Sequence, residues 1–437
     1  MNAQLIDARA DHHLWAEKYD GVIEDVFKLQ DAITRKIVSA LSVKLTNKEQ
    51  ALFSTSGTDN IEAYDLFLKG RGLRFRLTPE SFAEAVKLLK KAVELDPNYS
   101  QPYAELAMIY WLGASWGGKY FQELGVGYTE GRYRAMSYLE LAMRHPTSTA
   151  YQVAARVAIA RRQFKKAEEE AQKAIELSPN DSDNYYVMAF VYKDAKPEEA
   201  IACARMEAKL DPQRLHYSLF RQGAANFFLK HYEKTIELTE RAGVHNQTFL
   251  QSNAEWVAAY AYLGRIEEAK RIYKDQFLKG YAGFPDPIPE HVIHVNGVQK
   301  PETADLLING LIKAGLPAQP DHYSRLSDAE KLSVEEVKKL AIGRTWTGSL
   351  WIAPRVKFWF HWSEDGTRTL KLGGTTNKKE FGFEDDHLYV VNDVEGRKIK
   401  SHINIYRRPY GSYEQKNEYI LLYEGGVWPF SAEKESQ

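Results

Sequence analysis

Apolar and small residues recur along the chain in a pattern that predicts pairs of amphipathic helices. A large side chain is followed four positions later by a small one, a second helix is marked by alanines, and a proline closes the unit. The clearest unit contains Tyr151, Ala155, Ala158, Phe164, Ala167, Ala174 and Pro179. Small residues let paired helices approach closely, aromatic side chains fill the space to the next pair, and proline ends the second helix. We therefore expect an array of helix pairs.

The same register returns on both sides of this unit. It restarts at Tyr103 after Pro97, and at Tyr185 after Pro179. A period of about 34 residues with these features resembles the tetratricopeptide repeat, TPR. The resemblance implies a mainly α fold, a TPR α-solenoid of about six helix pairs over residues 61–280, with less regular units towards the end.

An insertion interrupts the second unit between Tyr110 and Ala135. Its sequence, WLGASWGGKYFQELGVGYTEG, is rich in glycine and aromatic residues. Surface loops tolerate extra length at a small entropic cost, so we expect a lengthened helix pair. The alternative is a functional loop that closes over the groove of the solenoid.

The pattern changes after the repeats. Residues 281–342 predict a helical linker, with helices over ETADLLINGLIKAGL and SVEEVKKLAIG. Residues 343–431 contain short aromatic and β-branched runs between turns such as SEDGT and VEGR. This pattern predicts an antiparallel β module of roughly six or seven strands, in a small barrel or curved sheet.

Alternation within the β module predicts its core. Phe358, Phe360 and Trp362 share one face of a strand. We expect such aromatic side chains to fill the interior of the module. The alternative is an interior that holds a small ligand, which would make the module a sensor.

Residues 1–45 predict a short β-hairpin, formed by AQLID and HLWAEKYD, followed by a helix. One face of that helix is apolar, with Val26, Leu29, Ile33, Ile37 and Leu41. Two strands and one helix do not form a stable domain alone. We expect another surface to cover them, either the first repeat or a second copy of the chain in a homo-oligomer.

This N-terminal segment also carries a family resemblance. The sequence from AQLIDARADHH to TRKIVSAL resembles the end of the TolB-N-like segment in bacterial class III adenylate/guanylate cyclase homologues. In those proteins it lies between a cyclase catalytic domain and TPRs. NIEAYDLFLKGR, IGRTWTGSL and KNEYILLYEGGVWPFS are similar to later parts of the same proteins.

The resemblance does not extend to catalysis. The chain starts at Met1 inside the TolB-N-like segment, and no stretch fits the α/β domain that holds the metal-binding carboxylates of a cyclase. We therefore expect a protein that is not an enzyme, without cyclase, phosphatase or protease activity.

Charge and cysteine content bear on the partners of the protein and on its cellular compartment. The 58 Lys and Arg residues nearly balance the 59 Asp and Glu residues, so no net field attracts nucleic acid or an anionic membrane. Cys203 is the only cysteine, which suits a reducing compartment. The N-terminus does not resemble a signal peptide, and no apolar run reaches the roughly 20 residues of a membrane span. We expect a cytoplasmic protein.

The motifs that could indicate catalysis or metal binding are weak. His291 and His294 lack the i, i+4 spacing and the glutamate of a zinc protease. Asp385, Asp386 and His387 are typical of a charged turn between strands. We expect no cofactor and no metal.

The repeats predict a partner-binding groove. On the first helix of each pair, a second stripe of residues lies beside the packed face. This stripe should face the concave side of the solenoid. The predicted groove residues are Met108, Trp111, Arg156, Tyr186, Phe190, Lys193, Phe220 and Phe227. Aromatic side chains dominate, so we expect a protein or peptide with an apolar or amphipathic segment, oriented by the two cations. The alternative is that these side chains pack against the chain's own residues 284–326.

The sequence thus favours a non-enzymatic TPR scaffold or regulatory protein. Two alternatives stay open at this stage. The chain could be the regulatory portion of a nucleotide cyclase whose catalytic domain lies upstream or on another polypeptide. It could also sense a small ligand through the β module.

Overall fold

The fold is taken from a computed structural model. It describes residues 2–7, 12–18, 33, 36, 57–243, 253–278, 288–318, 320, 322–350, 356–372, 374–409, 418–423 and 426–432. Within these ranges, no helix combines the length and the apolar character that crossing a bilayer requires.

The described part of the chain is mainly helical and contains six helix pairs in sequence. The pairs are α1 (Ile61–Arg74) with α2 (Pro79–Leu95), α3 (Ser100–Trp116) with α5 (Tyr128–Ala142), α6 (Ser148–Ala160) with α7 (Phe164–Leu177), α8 (Ser182–Tyr192) with α9 (Pro197–Leu210), α10 (Leu215–Phe228) with α11 (Tyr232–Arg241), and α12 (Ala254–Tyr262) with α13 (Ile266–Ile272). Each helix packs on its partner and on the next pair. This is the TPR-type arrangement that the periodic pattern predicts.

Local sequence explains how the first pair forms. The Thr78 side chain accepts a hydrogen bond from the backbone of Ser81, and the Ser81 hydroxyl accepts one from the backbone of Thr78, so α2 begins at a capping box. Gly70 on α1 faces Leu89 on α2. A β-carbon at Gly70 would lie 2.7 Å from Leu89 Cγ, so only glycine permits this close approach.

The insertion in the second unit forms a short helix, α4 (Lys119–Leu124), between α3 and α5. The Tyr120 hydroxyl donates to the carbonyl of Leu77 over 2.7 Å. The Phe82 ring centroid lies 5.6 Å from that of Trp116 and 5.3 Å from that of Tyr120. The insertion therefore lengthens the second pair and packs on the first. These contacts agree with the expected lengthened pair and not with a loop over the groove.

Among the described residues, three helices follow the repeats: α14 (Pro289–Val295), α15 (Pro301–Ala314) and α16 (Val334–Ala341). Helix α15 packs on α12 so closely that a β-carbon at Gly310 would lie 2.5 Å from Cβ of Ala258. Leu307, Ile308 and Leu311 belong to the same core as the last repeats. The segment predicted as a linker is therefore packed against the array.

The C-terminal module is a closed antiparallel barrel. Its strands are β3 (Thr345–Leu350), β4 (Val356–Trp362), β5 (Thr367–Leu372), β6 (Thr375–Glu384), β7 (His387–Val394), β8 (Arg397–Arg407), β9 (Tyr419–Tyr423) and β10 (Gly426–Ala432), and β10 closes on β3. The expected antiparallel module is correct, but the expected count of six or seven strands is wrong. The closed barrel contains eight.

Aromatic side chains fill much of the barrel interior. Phe358, Phe360 and Trp362 are all buried, as the alternation predicts. Trp346 stacks on Phe430 with ring centroids 4.4 Å apart.

At the N-terminus, the strands β1 (Asn2–Asp7) and β2 (His12–Lys18) pair antiparallel, which confirms the expected hairpin. The helix predicted after the hairpin lies outside the described residues except for residues 33 and 36.

Candidate functional site

The structure divides the predicted groove residues into two groups. One group is buried and consists of Met108, Trp111, Lys193, Phe220 and Phe227. The other is only half-buried and consists of Arg156, Tyr186 and Phe190. The two groups have different chemical roles, because only the half-buried side chains retain surface that a partner can reach.

Packing within helix pairs buries two of these residues, Trp111 and Phe227. The Arg132 guanidinium covers the Trp111 ring, with Cζ 3.6 Å from the ring centroid. Phe227 is fully buried and lies 5.7 Å from Tyr232, measured between ring centroids. These side chains belong to the core, so the expectation that they line an open groove is wrong for them.

Lys193 requires a separate correction. Its Nζ lies 2.6 Å from Oε1 of Glu255 and 2.8 Å from the carbonyl oxygen of Asn296. Both carboxylate and ammonium are almost fully buried, at 3% side-chain exposure each. Lys193 therefore joins α8 to α12 and does not present a free cation to a partner.

The chain's own residues after α14 occupy this part of the predicted groove. Asp194 accepts hydrogen bonds from the backbone of Gln299 at 2.8 Å and from the Thr303 hydroxyl at 2.7 Å. A β-carbon on Gly297 would lie 3.2 Å from the Phe190 ring, and the φ of +61° at Gly297 also favours glycine. Around Lys193 and Asp194, the alternative of self-packing is the one the structure supports.

The half-buried group lies beside a buried residue that the repeat pattern did not indicate, Arg221. Arg221 on α10 donates to the Tyr186 hydroxyl, and its Cζ lies 4.3 Å from the Tyr186 ring centroid and 4.7 Å from that of Phe190. Arg156 on α6 approaches Tyr186 with Cζ at 5.4 Å. We call Arg156, Tyr186, Phe190 and Arg221 the Arg–Tyr surface. It spans the first helices of three consecutive pairs.

The Arg–Tyr surface carries a cation without a carboxylate partner. Among the described residues, Arg156 forms no ion pair, and its Nε is buried without a hydrogen bond. Burial lowers the pKa of Arg156, and Arg221 lowers it further. The nearby carboxylate of Asp183 instead lies 2.5 Å from Arg214 and 3.7 Å from Arg74. An anionic group that reached Arg156 would gain a charge-assisted hydrogen bond.

The histidines of α14 do not form a reactive site. His291 and His294 are both buried. Burial lowers the pKa of His291 to about 4 and that of His294 well below its usual range, so both rings are neutral near pH 7. The neighbouring Glu290 is engaged by Arg408, with 2.7 Å between Oε1 and Nε. This environment anchors α14 to the end of β8.

One cluster on the barrel could hold a metal ion. The candidate ligand atoms of Glu384, His387 and His402 lie within 4.8 Å of one another. Asp386 Oδ1 lies 2.5 Å from His387 Nδ1, which leaves Nε2 of His387 towards Glu384 Oε2 at 3.3 Å. Two imidazoles and a carboxylate are a donor set suited to zinc and similar ions.

The cluster joins residues of three different strands. Asp385 and Asp386 do form the expected turn between β6 and β7. His402, however, lies on β8, and only the pairing of β7 with β8 brings it to His387, with ring centroids 3.8 Å apart. The VEGR turn between β7 and β8 was the available signal, because a two-residue hairpin loop fixes the register of its strands.

The only cysteine, Cys203, has a thiol of low reactivity. It is partly buried on α9. Burial raises the pKa of its thiol to about 11, so the reactive thiolate is scarce near pH 7.

Comparisons with known proteins give partial matches. No protein-family model matches the chain. A curated relative, "Putative adenylate cyclase 3" of Rhizobium meliloti (strain 1021), is 41% identical over 109 residues. The match covers 25% of this chain and only 19% of the length of that relative.

Two solved structures are also similar to the chain. One is YrrB, described as a TPR protein with an unusual peptide-binding site, with a TM-score of 0.28 and 17% identity, covering 45% of this chain and 91% of YrrB. The other is the APC/C hetero-tetramer Cut9–Hcn1, with a TM-score of 0.32 and 18% identity, covering 66% of this chain and 53% of the matched chain.

Proposed function

We propose that this protein is a non-enzymatic interaction scaffold of the TPR type that binds a segment of a partner protein on the Arg–Tyr surface. The observation that supports this proposal is the half-buried Arg156, which has no carboxylate partner among the described residues and lies beside Tyr186 and Phe190. Arg156 supplies charge, and the two aromatic rings supply apolar area.

The chemistry of this surface defines the partner segment. A carboxylate suits Arg156, because the guanidinium group offers several N–H donors in a fixed planar arrangement. Apolar side chains next to that carboxylate suit Tyr186 and Phe190. The expected partner is therefore an amphipathic segment with an acidic residue or a terminal carboxylate beside its apolar face, and Lys193 takes no part in binding it.

The test is a screen of short peptides followed by calorimetry on the best binder. Arg156→Met should weaken binding by about tenfold to a hundredfold, because a hydrogen bond to a charged group contributes roughly 1.5–3 kcal/mol. Phe190→Ala should weaken it through lost apolar contact. The matched control is Lys165→Met, which removes an exposed cation from α7. Far-ultraviolet circular dichroism should show unchanged helical content in every variant.

Two outcomes would contradict the proposal. In the first, no peptide of the screen binds the wild-type protein. In the second, binding is as strong in Arg156→Met and Phe190→Ala as in Lys165→Met, which would place the peptide elsewhere.

A second candidate function is the regulatory portion of a nucleotide cyclase, acting on a catalytic domain. The observation that favours it is the 41% identity over 109 residues to a relative named as an adenylate cyclase. The chain alone should then produce no cAMP from ATP with Mg²⁺ or Mn²⁺. Adding it to the separately purified catalytic domain of that relative should change the rate of cAMP formation, and an unchanged rate over a range of protein ratios would exclude this role.

A further inference from the structure

The barrel interior contains two basic side chains that face each other across neighbouring strands. Arg368 on β5 pairs with Lys379 on β6, and on its other side Arg368 pairs with Trp362 of β4. Directly opposed residues in an antiparallel pair point to the same face. Since Trp362 is fully buried in the barrel core, Arg368 and Lys379 point inward as well.

Neither cation has an anionic partner among the described residues. Arg368 is 8% exposed, and its Nε is buried without a hydrogen bond. Lys379 donates only to a neutral group, the Asn392 side-chain carbonyl oxygen. Burial lowers the pKa of Arg368 to about 10 and that of Lys379 to about 8, and Arg368 contributes to the second shift. Both groups are still mostly cationic at pH 7.

On the outer face of the barrel, two lysines of β8 pair with carboxylates of β6. Lys398 pairs with Glu380 at 3.0 Å, and Lys400 pairs with Glu384 at 2.5 Å. These two exposed lysines therefore have carboxylate partners, whereas the buried Arg368 and the half-buried Lys379 have none among the described residues. Burying a charge is unfavourable unless it is paired, and two like charges directly opposite each other are also unfavourable. This arrangement points to an anion that the described residues do not supply.

The surroundings of the two cations are suited to a small ligand. The Phe360 ring lies 5.1 Å from Cζ of Arg368. Helix α5 of the second repeat covers this part of the barrel, with the Tyr133 ring 5.5 Å from Lys379 Nζ. Nearby, the hydroxyls of Thr129 and Tyr423 are 3.2 Å apart. Polar groups and aromatic walls thus meet at one place between the barrel and the repeats.

We propose that the barrel binds a small molecule carrying a phosphate or carboxylate group between Arg368 and Lys379, with Asn392 as an additional polar contact. Apolar parts of the ligand would lie against the Phe360 ring. The site is separate from the Arg–Tyr surface, so it adds a ligand-binding activity to the proposed scaffold. Because α5 belongs to the repeats, an occupied barrel would also contact the helical array.

Thermal unfolding and calorimetry with inorganic phosphate, phenyl phosphate and benzoate test this proposal, each against chloride at equal ionic strength. At least one of these anions should raise the Tm of the full chain in a saturable way. Arg368→Met and Lys379→Met should each weaken binding of that anion by at least about tenfold. The matched control, Lys371→Met, removes an exposed cation from the same strand and should leave the response unchanged.

The unliganded variants provide an independent readout. Replacing a buried unpaired cation by an apolar side chain of similar size removes its desolvation penalty. Arg368→Met should therefore raise the Tm without ligand while abolishing the anion-induced rise. The proposal is overturned if none of the three anions binds the wild-type protein. It is equally overturned if both interior variants respond to them as Lys371→Met does.

Discussion

Glu255→Gln is expected to destabilise the protein by about 3–5 kcal/mol, the usual penalty for removing one partner of a buried ion pair. In the wild type, Glu255 Oε1 lies 2.6 Å from Lys193 Nζ, and both side chains are almost inaccessible to water. The variant would leave the ammonium of Lys193 buried without a counter-charge, beside the Asn296 carbonyl and the Phe190 and Phe228 rings. The free energy of unfolding from urea titration measures the loss.

The double variant Lys193→Met/Glu255→Leu is the control. It removes both charges and retains apolar volume, so its stability should be close to that of the wild type or higher. If Glu255→Gln unfolds at the same urea concentration as the wild type, Lys193 must have lost its proton or found another partner. The ion pair would then not be what joins α8 to α12.

Glu207→Gln is expected to stabilise the protein in a pH-dependent manner. Glu207 on α9 is fully buried, and both of its carboxylate oxygens lack a hydrogen-bond partner. Burial raises its pKa from 4.5 to about 8. Between these two pH values the folded state holds a proton that the unfolded state has released, so the wild type loses stability as the pH rises.

The size of the effect follows from the same linkage. Each pH unit between about 4.5 and 8 contributes at most about 1.4 kcal/mol. Glutamine does not titrate, so the advantage of Glu207→Gln should be near zero at pH 4 and largest above pH 8. Urea midpoints over this range measure it, with the exposed Glu198→Gln of the same helix as control. Parallel pH profiles for wild type and Glu207→Gln would mean that the carboxyl group is not held neutral by burial.

The sequence was sufficient to predict which segments are helical and which are strands, and much of the packing between neighbouring elements. Gly70 and Leu89 belong to one helix pair, and Phe358, Phe360 and Trp362 belong to one strand. Such neighbours are fixed by the helical and strand periodicities, which can be read directly from the order of residues. The helix pairs, the N-terminal hairpin and the antiparallel character of the β module were therefore predictable.

The candidate sites depended on contacts between distant elements. Lys193 was expected to face a partner because its position on the helix is compatible with the concave stripe. Its contact with Glu255 arises from the stacking of successive pairs, and the sequence contains no signal for it. The same stacking brings Arg221 beside Tyr186, so the cation from the next pair was missed.

In the barrel, too, some features followed from the sequence and others only from the tertiary structure. Alternation in the sequence determined which residues of β4 face inward, but the number of strands followed only from closure, which requires β10 to pair with β3. The inward position of Arg368 and Lys379 depends on the register between β5 and β6. Residue order alone thus determined the types of element and their apolar faces, because these follow from backbone periodicity. The tertiary structure alone decided which charges are paired and which are left for a ligand, because that depends on strand register and on the stacking of repeats.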